Sequence, residues 1–253
     1  METQWMERTK LLVGEKGIEK LINAHVLVVG LGGVGGYAAE AICRAGVGKM
    51  TIIDGDTVDP TNRNRQIQAL SSTHGQNKAD LMYARLKDIN PECDITAINE
   101  FKTPDDMKEF MKQKFTYVID AIDSISPKLY LIQMAYYNNQ RIISSMGAGG
   151  KMDPTKLLVV DIKDTHTCPM AQYVRKRLRY MNIYKGIKCV FSTEIPAKFS
   201  IMRTDGSKFK KSAYGTISYL PAVFGLTCAS VVIRDITGWK EVSPGAVSKK
   251  KKK

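Results

Sequence analysis

The sequence predicts an α/β protein, a doubly wound and mainly parallel sheet with a C-terminal antiparallel extension and a final helix. Three observations lead there. Short apolar runs alternate with segments of helical spacing from the N-terminus to about residue 150. A glycine-punctuated turn, "GLGGVG" (Gly30 to Gly35), joins the first strand-like run to a helix-forming segment, which makes the sheet Rossmann-like. Beyond Gly150 the alternation stops and shorter runs precede one long apolar segment.

Each element has its own warrant. Ile18, Leu21 and Ile22 recur at helical spacing in "RTKLLVGEKGIEKLINA", ahead of the strand "HVLVVG". After the turn, "GYAAEAICRAG" joins strong helix formers to a stop at Gly46, and "KMTIIDGD" is a second strand. "QNKADLMYARLKDINPE" predicts a helix from about Asn77, ended by Asn90-Pro91. "CDITAINEF" predicts a strand and "TPDDMKEFMKQKF" a helix capped by Thr103. "TYVIDAID" and "RIISSMGAGG" are apolar strands on either side of the helix "SPKLYLIQMAYYNNQ". Then "LLVVDIKD" precedes a basic helical piece, and "IKCVFSTEI" and "KFSIMRT" predict antiparallel strands. Ile217 to Ile233 carries no charge. It is short for a membrane span of ~20 apolar residues and contains Pro221 and Gly225, so a buried core helix is expected.

The 253 residues suffice for one domain with a large core. Residues 1–150 form the expected nucleotide-binding core, 151–248 its C-terminal part, and 249–253 a disordered lysine tail. Charge is the compositional anomaly: 38 Lys and Arg against 25 Asp and Glu give a formal +13, five of it in Lys249 to Lys253. Such a surface attracts polyanions, either nucleic acid or an anionic membrane face as a peripheral contact, or it serves solubility. The five cysteines, Cys43, Cys93, Cys168, Cys189 and Cys228, are scattered and never form C-x-x-C, against a disulfide framework and a structural zinc. "METQWMERTK" is polar and charged, so no secretory signal opens the chain and a cytoplasmic location is the expectation.

The glycine turn carries the first chemistry. Gly30 permits the tight turn, Gly32 and Gly33 bring backbone close to a phosphate, and Gly35 lets helix and strand pack. The helix N-terminus behind it offers N–H groups to an anion. Asp54, at the end of the second strand with Asp56 beside it, suits ribose hydroxyls, which fits NAD and ATP alike. The choice comes from Arg65 and Lys78, two cations able to return to the same crevice. With Asn62 in "TNRNRQ" they suit a triphosphate whose departing pyrophosphate needs stabilising. Asp120 and Asp123 close a strand in "VIDAID". Asp123 is the expected magnesium ligand, and Asp120 is either a second ligand or a structural acceptor.

These residues resemble, in order and spacing, the adenylating enzymes similar to ubiquitin-activating enzyme, including the activators of bacterial sulfur-carrier proteins. The resemblance carried by "GLGGVG", Asp54-x-Asp56, "TNRNRQ", Lys78 and "DAID" spans about Arg8 to Gly150. It implies ATP with Asp54 on the ribose, Arg65 and Lys78 on the phosphates, and Mg2+ on Asp123. It also implies a homodimer in which Arg8 reaches the partner's ATP. The two C-x-x-C pairs usual in sulfur-carrier activators are missing. Cys168 and Cys189 are the nearest thioester candidates, with buried incidental thiols as the alternative. In the second half "GAGGKMDPT", "DTHTCP" and "CVFSTE" resemble the bacterial tRNA threonylcarbamoyladenosine dehydratase branch.

That branch implies ATP-dependent activation of a carboxylate on a modified adenosine beside the tRNA anticodon, followed by cyclisation with AMP and pyrophosphate released. The attacking group belongs to the substrate, so no zinc, carrier protein or enzyme thioester is required. Whether a sulfur-transfer partner protein assists stays open. "QYVRKRLRY" places Arg175, Lys176, Arg177 and Arg179 with two tyrosines on one helix, a candidate tRNA contact or an exposed amphipathic face. Lys208, Lys210 and Lys211 suit a hairpin's solvent face or a secondary tRNA contact, and His25, His74 and His166 have no metal or triad spacing. The rivals are an activator of a sulfur-carrier or ubiquitin-like protein tail, an NAD-dependent oxidoreductase, and a tRNA-binding scaffold with a vestigial nucleotide site.

Overall fold

The computed structural model describes residues 4–203 and 212–240. Lys208, Lys210, Lys211 and the tail Lys249 to Lys253 lie outside them. The elements are α1 (Glu7–Ile22), β1 (His25–Val29), α2 (Gly35–Arg44), β2 (Lys49–Ile53), α3 (Lys78–Ile89), β3 (Asp94–Ile98) and α4 (Pro104–Phe110). There follow β4 (Tyr117–Asp120), α5 (Ile125–Tyr137), β5 (Ile142–Ser145), β6 (Leu157–Asp161) and α6 (Pro169–Tyr180). The last are β7 (Lys188–Ser192), β8 (Ile201–Arg203), β9 (Ser212–Tyr214) and α7 (Tyr219–Thr237).

Seven strands form one sheet in the order β3-β2-β1-β4-β5-β7-β6, all parallel except β6. Successive side chains on a strand point to opposite faces, so an apolar strand feeds two cores. Val26 and Val28 pack into the layer holding α2, α3 and α7, whereas Leu27 and Val29 pack into the layer of α4, α5 and α6. Thr103 caps α4 by accepting from the Asp106 amide, and Asn77 is the extended residue before α3.

One expectation changes, and the antiparallel strands find their partners. The strand "VIDAID" ends at Asp120, because the Ala121 amide bonds Val29 O and the chain then leaves the ladder, placing Asp123 in the loop before α5. "IKCVFSTEI" and "KFSIMRT" both form antiparallel pairs, as expected, but in different sheets. β7 is buried on both faces from Cys189 to Ser192 and fits inside the sheet, parallel to β5 and antiparallel to β6. "KFSIMRT" instead supplies β8, paired with β9 in a separate two-stranded sheet.

The uncharged C-terminal segment is α7, the helix among the described residues that is long and apolar enough to cross a membrane. Here it lies against α1 and α2, with Leu220, Phe224, Cys228 and Val232 wholly buried. Gly225 makes the α2 contact close: a Cβ there would fall 2.1 Å from Val34 O. α1 is broken at Gly14 (φ 73°), and beyond the break Lys20 Nζ donates to Thr237 O at 3.0 Å.

Candidate active site

The parallel register puts the ends of β1, β2 and β4 side by side, Val29 opposite both Ile53 and Asp120. After β1 the chain turns to β2 on one side, and later returns to β4 on the other. At such a switch point, outside the carboxyl ends of the strands, open α/β sheets bind their ligands. Gly30 stands there with φ 86°, and an added Cβ would sit 2.8 Å from Ala121 O. At Gly35 a Cβ would lie 1.7 Å from Gly30 O, so only glycine lets α2 start this close to the strand.

The acidic end of β2 is built into the turn. Asp54 accepts from the Leu31 amide at 2.6 Å and from the Asp56 amide at 2.8 Å. Burial raises its pKa above the ordinary carboxylate range, opposed by the Lys78 charge and these two amides. Lys78 is 5% exposed, and its ammonium donates to Asp56 at 3.1 Å. Asn62 caps a short turn, its carboxamide oxygen accepting from the Asp59 amide at 3.2 Å.

From that turn the segment Thr61 to Gln68 folds back over the glycines. A Cβ on Gly33 would come 3.2 Å from Arg65 Cγ. Arg65 donates to Thr61 O (3.0 Å) and Asn64 Oδ1 (2.8 Å). Burial lowers its pKa, and the neighbouring Asp123 carboxylate raises it. Thus Asp54, Lys78, Arg65 and Asp123 come together around Gly30, Gly32, Gly33 and Gly35. Arg8 is exposed on α1 ahead of the Gly14 break.

Asp120 is wholly buried. It binds Lys128 Nζ at 2.6 Å and the Ser144 hydroxyl at 2.5 Å, while its other oxygen accepts from the Ile122 amide at 3.1 Å. It is therefore the structural acceptor, holding the loop that carries Asp123. Lys128, also wholly buried, was missed in the sequence; the available signal was a lone cation on the apolar helix "KLYLI". Gln68 was missed too: its amide donates to Leu31 O and braces the glycine turn.

The motifs of the second half also converge. Glu194 of "CVFSTE" accepts from the Met152 and Asp153 amides of "GAGGKMDPT" at 3.0 and 2.8 Å. All five cysteines are buried, and burial pushes the Cys228 thiol up to about 12 and Cys189 well upward. Neither Cys168 nor Cys189 is presented to solvent, as a thioester nucleophile would need to be. Among the described residues no three His, Cys, Asp or Glu side chains converge as a metal cage.

On α6, Ala171, Val174 and Leu178 face the core. Tyr173, Lys176, Arg177 and Tyr180 line an open surface cavity of about 390 Å³, with the Arg177 guanidinium 6.0 Å from the Tyr173 ring centre. Arg179 is exposed, but Arg175 turns back to Thr165, donating to its carbonyl at 2.6 Å.

A model of the ThiF family matches residues 6–250. The chain belongs to the ThiF family. It is 42% identical over 236 residues to the tRNA threonylcarbamoyladenosine dehydratase of Bacillus subtilis, covering 90% of this chain and 93% of that one. To the dehydratase of Escherichia coli it is 38% identical over 250 residues, covering 91% and 93%. The crystal structure of the E. coli enzyme in complex with ATP superposes with a TM-score of 0.84, covering 93% of this chain and 95% of that one. The fold is thus shared over 93% of this chain, well beyond the glycine-turn half.

Proposed function

We infer that this ThiF-family chain is an ATP-dependent tRNA threonylcarbamoyladenosine dehydratase. The observation that carries the reading is the likeness to dehydratases over 90% or more of both chains, not merely over the nucleotide half. The geometry agrees with it: a glycine cradle at a helix N-terminus with two cations above it suits a triphosphate better than a dinucleotide. That favours adenylation over the NAD reading.

In the reaction, the carboxylate of the modified adenosine attacks the α-phosphate of ATP, forming an acyl-adenylate and releasing pyrophosphate. A group of the same modification then attacks the acyl carbon and expels AMP, so one water is lost overall. Asp54 holds the ribose. Arg65 and Lys78 offset the charge that grows on the phosphates, and the protein's share of the catalysis is mainly positioning and electrostatics. A single carboxylate, Asp123, suits Mg2+ shared with the triphosphate, which supplies charge neutralisation when bound. Asp56 holds Lys78, and Asn62 shapes the loop bearing Arg65.

The assembly is proposed to be a homodimer. Leu11 (88% exposed) and Leu12 (69% exposed) leave an apolar face beside Arg8 for a second copy to cover, bringing Arg8 to the partner's ATP. On α6, Lys176, Arg177 and Arg179 neutralise tRNA phosphates, while Arg175 positions the helix through Thr165.

The test is incubation with ATP and threonylcarbamoylated tRNA, followed by mass spectrometry of the nucleosides. Loss of one water, dependent on ATP, is expected. Pyrophosphate release that ignores the modified tRNA but responds to a carrier protein with a Gly-Gly tail would instead make the chain a carrier activator. Tight NAD binding without ATP affinity would restore the oxidoreductase.

A further inference from the structure

β7 ends at the same carboxyl edge of the sheet as the nucleotide cradle, and the chain then runs through Ile195 to Ser200 into β8. This segment is fixed by backbone. The Ala197 amide donates to Gly150 O, Gly150 N to Gly215 O, and Gly215 N to Ser200 O, each at 2.8 Å. From there a short path leads to the cradle. Thr216 O accepts from Asn64 Nδ2 at 3.0 Å, and Asn64 Oδ1 accepts from Arg65 at 2.8 Å. So Phe199 stands one residue from a hydrogen-bonded knot that is linked, through a single asparagine, to the cation over the glycine turn.

The side chains on this knot are exposed in a way that asks for an occupant. Phe199 is 94% exposed, the highest value among the large apolar side chains described, and Ile195 is 73% exposed. Lys198 adjoins Phe199 and is exposed as well. An aromatic face beside a cation, on backbone held by these hydrogen bonds, is what an unstacked base and its phosphate recognise. α6 cannot offer this at the site. Its start packs near Gly147, with Met170 Cβ 3.7 Å from a Cβ placed there, while its far end meets α5, where Tyr137 donates to Met181 O. Its twelve residues therefore carry Arg177 and Tyr180 toward the opposite edge of the sheet, at ~1.5 Å per residue.

We propose that Phe199 is the platform on which a base of the tRNA anticodon loop stacks, with Lys198 on the adjoining phosphate, so that the modified adenosine is presented to the ATP held under Arg65. This rests on the dehydratase reading. It divides RNA recognition in two: base presentation by the Ile195 to Ser200 segment, and backbone neutralisation along α6.

The experiment measures steady-state dehydration of threonylcarbamoylated tRNA by the full chain, with direct binding of the same tRNA, for wild type, Phe199→Ala and Phe199→Tyr. Phe199→Ala is expected to raise KM and Kd for tRNA by roughly 5- to 150-fold, the effect of removing one base stack. kcat at saturating tRNA should hold, and Phe199→Tyr should restore KM because it keeps the ring. Wild-type KM and Kd in Phe199→Ala would overturn the proposal, as would a Tyr variant no better than Ala. A changed oligomeric state in Phe199→Ala, with tRNA affinity intact, would assign the patch to a second copy and overturn it too. If wild type itself removes no water from the modified tRNA, it is the dehydratase reading that fails, a result separable from all of these.

Discussion

Replacing Lys128 with methionine removes the charge while keeping most of the volume of the side chain. In the native chain its ammonium contacts Asp120 at 2.6 Å, Ser145 O at 3.0 Å and Ser144 Oγ at 3.3 Å, with both charged side chains wholly buried. Breaking a buried pair from one side costs about 3–5 kcal/mol, because the remaining charge is left uncompensated. Asp120 keeps two donors, the Ser144 hydroxyl and the Ile122 amide, which places the cost toward the lower end of that range. For a chain of this size that is a fall in Tm of roughly 6–12 °C. Urea unfolding followed by circular dichroism measures it. Adding Asp120→Asn to Lys128→Met removes the stranded charge but still accepts from Ile122, so the double variant should regain more than half of the loss. The reasoning is refuted if Lys128→Met costs less than about 1 kcal/mol, or if the double variant is no more stable than the single one.

Gly35→Ala sets a methyl carbon 1.7 Å from Gly30 O, so ATP binding should be lost; calorimetric titration beside a circular-dichroism spectrum checks it. Asp54, whose pKa burial raises, takes up its proton at a higher pH than an ordinary carboxylate. Its protonated form loses an acceptor for the ribose, so ATP affinity should fall as pH drops through that raised value. By linkage the Asp54 group alone adds stability as pH falls through that raised value, against the loss from carboxylates held low such as Glu40 and Asp235. Kd and urea midpoint followed across acidic pH should show wild-type affinity falling while its midpoint gains on that of Asp54→Asn. Lys176→Glu with Arg177→Glu should weaken binding of all tRNAs alike and reduce the slope of log K against log salt by about 0.7–0.9 for each phosphate no longer neutralised. A filter-binding series in salt that kept the wild-type slope would remove α6 from the interface.

The strands and helices up to β5 were legible because each is a local pattern: period two or near four, a cap such as Thr103, a stop such as Asn90-Pro91. The glycine turn was legible for the same reason, since Gly30 and Gly35 answer steric demands within six residues of each other. What depended on distant pairing was not. β7 and "KFSIMRT" are both short, and nothing local says that one enters the main sheet while the other joins Ser212–Tyr214. The role of Asp120 hung on the face of α5 that carries Lys128, and Asn64 meets Thr216 across 152 positions. Arg175 looked equivalent to its three basic neighbours until the helix was placed against Thr165.

The contact between Gly225 and Val34 O bears on how such chains can be recombined. Val34 stands between Gly33 and Gly35, just ahead of α2, and a Cβ at Gly33 would also meet Pro221 at 3.0 Å. The residues proposed to cradle phosphate are thus roofed by a helix encoded almost two hundred positions later. The two halves are not interchangeable cassettes. A chimera that joined this nucleotide half to a foreign acceptor half would have to bring a glycine to the same crossing, or push the cradle open.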